Sequence, residues 1–241
     1  MKKVIVIGSG FSGLAAATEL ASLGYKVTIL EKNESPGGRA RVFNTEGFTF
    51  DMGPSWYWMP DVFENYFNRF DKKVSDYYHL KRLDPSYEVI FENFEKVSLP
   101  AGIENIKKSF EAIDSGSGEN LQKFMDQAAY KYKVGMGQFV WKPSHSITEF
   151  FSFQLLKDAL RLDLLKSLSK HARKYFTHPK LLKIIEFPSL FLGAIPENTP
   201  ALYSLMNYAE MQNGTWYPMG GMYKIVEGMV NLATEKGVKF E

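Results

Sequence analysis

The sequence predicts an α/β fold: a parallel βαβ unit with a nucleotide-binding turn, then a mostly helical α+β insertion, then a short return to the first domain. Three observations carry this. An apolar run reaches a Gly-Ser-Gly turn within ten residues, a helix pattern and second apolar strand follow at once, and residues from about 84 to 214 read mainly as helices. Val4 to Ile7 is expected as a buried parallel strand, and Leu14 to Leu23 as an Ala/Leu-rich helix stopped by Gly24. Lys26 to Leu30 is the second strand, ending at Glu31.

Between strand and helix lies Gly8-Ser9-Gly10-Phe11-Ser12-Gly13, a GxGxxG turn in the context that a Rossmann-like domain requires. Gly8 makes the tight turn, Gly10 lets the backbone approach a diphosphate, and Gly13 lets helix and strand pack closely. The diphosphate is expected on free N–H groups at the helix N-terminus. Glu31 lies 18 residues after Gly13, at the tip of the second strand. A carboxylate there accepts from ribose hydroxyls and repels a 2′-phosphate.

Composition narrows the rest. Lys plus Arg is 29 and Asp plus Glu is 27, a net charge of +2 that argues against a phosphate-backbone binder, so no nucleic-acid partner is expected. Apolar residues at 45% and charged residues at 23% are ordinary globular usage, which argues against disorder. With no cysteine, disulfides, thiolate metal sites and cysteine nucleophiles are excluded. No window reaches the roughly 18 uncharged apolar residues that span a bilayer. His79, His145, His171 and His178 have no metal-ligand spacing, so no metal is expected and each histidine reads as a surface or capping residue.

Glu31-Lys32 is followed by Ser35-Pro36-Gly37-Gly38-Arg39, an alternating hairpin of Val42 to Thr45 and Phe48 to Phe50, and Asp51-Met52-Gly53-Pro54. Paired glycines permit close backbone approach, and Arg39 supplies a fork of donors suited to phosphate. With these residues the sequence resembles the FAD-dependent family that includes amine oxidases, protoporphyrinogen oxidase and carotenoid desaturases. In that family the GGR segment and the D-x-G-P turn line the FAD. Three stretches, Phe50 to Phe63, Thr199 to Met206 and Gly214 to Met222, are similar to bacterial phytoene desaturases and occur in the same order.

The resemblance implies FAD as cofactor, held by Gly8, Ser9, Gly10, Phe11, Ser12, Gly13, Glu31, Lys32, Gly38, Arg39, Gly53, Pro54 and Ser55. It implies desaturation of phytoene or a related linear polyene, with Trp56, Trp58, Tyr203, Tyr208 and Trp216 as substrate-lining candidates and Tyr57, Phe187 and Phe191 beside them. No residue is assigned as the catalytic acid or base; Asp51 is a candidate, with turn capping as the competing role. A carotenoid isomerase, a hydroxycarotenoid desaturase, an amine oxidase or an inactive fragment stay open as alternatives. Family members carry a C-terminal half that returns to the FAD domain, so the chain, which stops within the alternating Gly237 to Glu241, is expected to be an N-terminal part of a longer enzyme.

The expected organisation is residues 1–83 for the first part of the FAD domain, 84–214 for a substrate-binding and membrane-binding region, and 215–241 for the return. Tyr87 to Phe91 and Val97 to Leu99 read as a hairpin; Ile103 to Ile113, Asn120 to Tyr132, Leu181 to Phe187 and Ala201 to Met211 read as helices. Phe150 to Lys183 carries eight basic side chains against two acidic ones, with leucines and phenylalanines between them. It is expected as a basic amphipathic helix, either lying on an anionic membrane surface or packed on the core with a solvated basic face. The first reading places the protein peripherally on the cytoplasmic face of a membrane.

Overall fold

A computed structural model describes residues 1–140 and 162–241. In chain order the main elements are β1 (Lys3–Ile7), α1 (Phe11–Ser22), β2 (Lys26–Leu30), β3 (Val42–Thr45), β4 (Phe48–Asp51), α2 (Pro60–Asn68), β5 (Leu80–Arg82), β6 (Tyr87–Ile90), β7 (Lys96–Leu99), α3 (Ile103–Ile113) and α4 (Ser117–Val134). Beyond the undescribed stretch come α5 (Leu168–Ala172), α6 (Pro179–Glu186), α7 (Leu205–Met211), β8 (Trp216–Pro218), α8 (Lys224–Glu235) and β9 (Lys239–Phe240). The chain divides into two compact units, Met1–Arg82 with Thr215–Glu241, and Leu83–Gly214.

The first unit is built on a parallel sheet of order β1-β2-β9, with Val4 opposite Val27 and Ile29 opposite Phe240. Alternation puts Val27 and Ile29 on one face, where they pack with Leu14 and Ala17 of α1 and with Val226, Leu232 and Ala233 of α8. The other face is open: Ile5 is 64% and Ile7 87% exposed. This corrects the expectation of a fully buried strand, because both helices cover the same side of the sheet. Tyr57 is stitched to Trp216 by two backbone hydrogen bonds of 3.1 Å, and its hydroxyl lies 3.0 Å from that of Tyr78. The return segment is thereby tied to the first 82 residues.

In the second unit, Ile106 and Phe110 of α3, Leu121, Phe124 and Met125 of α4, and Leu181, Ile184 and Ile185 of α6 share one core with Leu99 of the β6–β7 hairpin. The helix α4 begins at Ser117, earlier than expected, and residues 201–204 form a 3-10 turn before α7. Phe150 to Lys183 is not one helix over its described part: α5 and α6 are separate, and His178 and Pro179 open α6. Pro179 ends any incoming helix and starts the next. Residues 150–161 of that stretch lie outside the described residues. Several of its basic groups are already paired, Lys166 with Asp163, Arg173 with Glu186, and Lys180 with Glu95.

His171 is a second correction, since it is buried. Its Nε2 lies 3.2 Å from Lys131 Nζ, which is itself fully buried and donates to the Ala201 carbonyl at 3.2 Å and to Ser204 Oγ at 3.3 Å. Asp163 Oδ2 stands 3.4 Å from the ammonium and balances it. Burial lowers His171 to about 4 and Lys131 to about 8. His178 does act as a cap, its Nδ1 accepting from the Lys180 N–H at 3.2 Å.

Glu210, on α7, is 2% exposed, and burial raises its carboxyl to about 8. The folded state therefore keeps a proton that the unfolded chain releases near 4.5. This contribution to stability is complete below 4.5 and is lost as pH rises through about 8. Melting temperature measured from pH 5 to 9 should accordingly fall more steeply for the wild type than for Glu210→Gln, whose amide cannot ionise. Parallel pH profiles would show that Glu210 is ionised in the folded state.

Candidate cofactor-binding site

The N-terminus of α1 points at a cavity of about 630 Å³. Its walls come from Ile7 to Gly10 after β1, from Leu30 to Asn33 after β2, from Gly38, Arg39 and Arg41, and from Met52 and Gly53. Thus Gly8, Ser9, Gly10, Glu31, Lys32, Gly38, Arg39 and Gly53 line one space, while Phe11, Ser12 and Gly13 form the first turn of the helix behind it. Pro54 and Ser55 do not line it. The first-turn N–H groups of a helix lack intrahelical acceptors. Here Gly10 offers no side-chain cap and no acidic residue sits in the first turn.

Two glycines divide the labour. A Cβ on Gly13 would stand 2.0 Å from the Gly8 carbonyl oxygen, so only glycine lets α1 pack this closely on the turn. A Cβ on Gly10 would meet nothing within 4 Å, because that position faces open space. The GGR segment is fixed from behind. The Gly37 N–H donates to the Ser9 carbonyl at 3.0 Å, and the Tyr223 hydroxyl donates to the Pro36 carbonyl at 3.2 Å. Asp51 accepts from the Met222 N–H at 3.1 Å, which gives it the capping role and binds the hairpin to the turn before α8.

The charges around the cavity suit a diphosphate. No described residue pairs with the side chains of Lys32, Arg39 or Arg41, so three cations stand without a protein anion. Glu31 is different. Its Oε2 accepts from the Ser9 N–H at 2.8 Å and the Ser9 hydroxyl at 2.5 Å, and its Oε1 from the Asn33 N–H at 3.0 Å and side-chain amide at 2.7 Å. The Ser9 hydroxyl, with the Ser9 and Asn33 N–H groups, holds the carboxyl down at about 2. Sequence reasoning missed Asn33 and Arg41. The tendency of Asn to bond to groups two residues away could have flagged the first; the second carries no local signal.

The substrate candidates lie elsewhere. In the first unit Trp58 is buried and donates through Nε1 to Thr215 Oγ1 at 2.9 Å, Trp56 stacks on Trp58 at 5.9 Å between centroids, and Trp216 packs against the core with Arg82 over its ring. In the second unit Tyr208 packs on the helical core with its ring 5.3 Å from that of Tyr132, and Tyr203 is half-buried in the 3-10 turn. None of the five lines the 630 Å³ cavity.

Comparison with known proteins shows the family. The family of flavin-containing amine oxidoreductases matches residues 11–241. The chain belongs to this family. Its family is a flavin-containing one. A carotenoid 3,4-desaturase of Haloarcula japonica is 39% identical over 99% of this chain and 48% of its own length. A 4,4′-diapophytoene desaturase of Staphylococcus haemolyticus is 34% identical over 99% of this chain and 48% of its own length. The chain therefore spans about half the length of these relatives. Among solved structures, a putrescine oxidase matches 99% of this chain and 50% of its own at a TM-score of 0.61 and 15% identity. A cyclohexylamine oxidase of Brevibacterium oxydans matches 100% and 51% at 0.59 and 17% identity. The likeness to these amine oxidases is one of fold.

The two glycines give opposite expectations. Gly10→Val should leave the melting temperature near that of the wild type and abolish flavin retention, since its methyls occupy the cavity. Gly13→Ala should destabilise the fold by about 3 kcal/mol or more, as forced overpacking against backbone does. Thermal melts with flavin absorbance on both variants check this; a Gly10→Val protein that retains flavin places the diphosphate elsewhere.

Proposed function

We propose that this protein takes part in FAD-dependent desaturation of a linear carotenoid precursor, phytoene or a close relative. The observation that carries the proposal is the match to carotenoid and diapophytoene desaturases across 99% of the chain, on a unit whose cavity has the groups to seat a dinucleotide. In this reading the α1 N-terminus and Arg39 hold the diphosphate, with Lys32 and Arg41 adding positive charge along the same wall. Gly8, Gly10, Gly38 and Gly53 allow the cofactor to lie against backbone. Glu31 receives the adenosine ribose. Bound FAD supplies the hydride acceptor, the redox step that no side chain of this chain can perform.

A polyene offers no hydrogen-bonding group, so its recognition falls to apolar surface. Within the first unit Trp56, Trp58 and Trp216 are candidates for such surface, and within the second Tyr203 and Tyr208. Anaerobic addition of phytoene in detergent to flavin-loaded protein should bleach the flavin absorbance near 450 nm and yield a product with a longer chromophore. Bleaching by a primary amine but not by phytoene would assign the protein to amine oxidation instead; an isomerised product without net bleaching would make it an isomerase.

We further propose that the protein works at an anionic membrane surface, on the cytoplasmic face, where such a hydrocarbon resides. Among the described residues no helix is long and apolar enough to cross a membrane. The second unit exposes Leu165 (99%), Leu190, Phe191 and Ile195, and carries the exposed Lys170, Lys174 and Lys183, none in an ion pair with a described residue. Near an anionic surface each such cation contributes about 1 kcal/mol, an attraction that salt screens. Changing these three lysines to Gln should reduce co-sedimentation with anionic vesicles at low salt while leaving flavin content unchanged. Equal sedimentation of variant and wild type would reject this surface.

A further inference from the structure

A carboxylate has about four lone-pair directions, and all four of Glu31 are in use. The four donors are not equivalent. Ser9 is fully buried, so its hydroxyl, if turned from Oε2, would be stranded away from water. Asn33 is half-buried on the cavity wall, and its side-chain amide has only one described partner, Glu31 Oε1 at 2.7 Å. That amide can swing into solvent and be hydrated there, giving up only its bond to Oε1, while the Asn33 N–H stays with the backbone. A ribose hydroxyl entering the cavity therefore meets a carboxylate with no vacant acceptor site, and the donor displaced at least cost is the Asn33 amide.

We propose that the Asn33 side chain is an exchangeable cover on the ribose-binding oxygen of Glu31, and that Ser9 is the fixed anchor holding the other oxygen. The proposal rests on the dinucleotide reading of the cavity and goes beyond it by naming a residue that sets nucleotide affinity. Binding trades one charge-assisted hydrogen bond for another, so in the wild type the Glu31 contact to ribose adds little net affinity. The cover also keeps the carboxylate fully bonded when no nucleotide is present. Asn33 is a positioning residue with a competitive effect, so removing it should strengthen binding, where loss of an ordinary binding residue weakens it.

The test uses ADP, which carries the ribose hydroxyls, against 2′,3′-dideoxy-ADP, which lacks them, titrated calorimetrically into flavin-stripped protein. Asn33→Ala should bind ADP more tightly, on the order of tenfold, the value of one charge-assisted hydrogen bond no longer displaced. Its affinity for the dideoxy analogue should match the wild type. Combining Asn33→Ala with Glu31→Gln should erase most of the gain, and Ser9→Ala should not tighten ADP at all. Unchanged or weaker ADP binding by Asn33→Ala, or an equal gain for both ligands, would overturn the cover while leaving the dinucleotide site standing. Failure of wild-type protein to bind either ADP or FAD would overturn both.

Discussion

Everything around the cavity of the first unit depends on one close contact, the packing of the first turn of α1 on the loop that leaves β1. Gly13 presses against the Gly8 carbonyl at a distance that no side chain could survive. That contact fixes where the helix N-terminus points, and so where its unpaired N–H groups and its partial positive charge are delivered. The same packing holds Ser9 beside the end of β2, where its N–H and hydroxyl meet Glu31. Helix dipole and carboxylate thus reach the cavity from a single rigid joint.

The second constraint is how the GGR segment is supported. Its backbone is clamped to the first turn by Gly37 and Ser9, and from behind by Tyr223, while Asp51 ties the β3–β4 hairpin to Met222. Residues some 170 positions downstream therefore brace the wall that carries Arg39 and Arg41. The return segment joins the first unit, through β9 beside β2 and α8 over the sheet, and the arginine wall rests on it. In the second unit a comparable task falls to Lys131, whose buried ammonium gathers the 3-10 turn at 201–204, His171 and Asp163. Removing one partner of such a buried charge costs far more than a surface pair would.

Much of the site was legible from sequence because its signals are local. The GxGxxG turn, the acid ending β2 and the alternating hairpins are each written within ten or so neighbouring residues, where turn chemistry and side-chain period act directly. The boundaries of β2, β3 and α3 agree with that reading to the residue. The basic stretch was harder. Composition alone joined segments that Pro179 and the caps separate, and it counted as solvated two cations, Arg173 and Lys180, that acidic residues outside the stretch already pair with.

By itself the sequence determined the βαβ unit, its GxGxxG turn, the absence of cysteine chemistry and the family resemblance, all of which follow from residue type and spacing. Only the tertiary structure decided which groups each polar atom meets. Asp51 serves a backbone N–H and Glu31 is filled by Ser9 and Asn33. His171 is buried beside Lys131, and one face of the sheet leaves Ile5 and Ile7 exposed. Burial and hydrogen-bond partnership depend on side chains brought together from distant positions, and spacing along the chain carries no record of that approach.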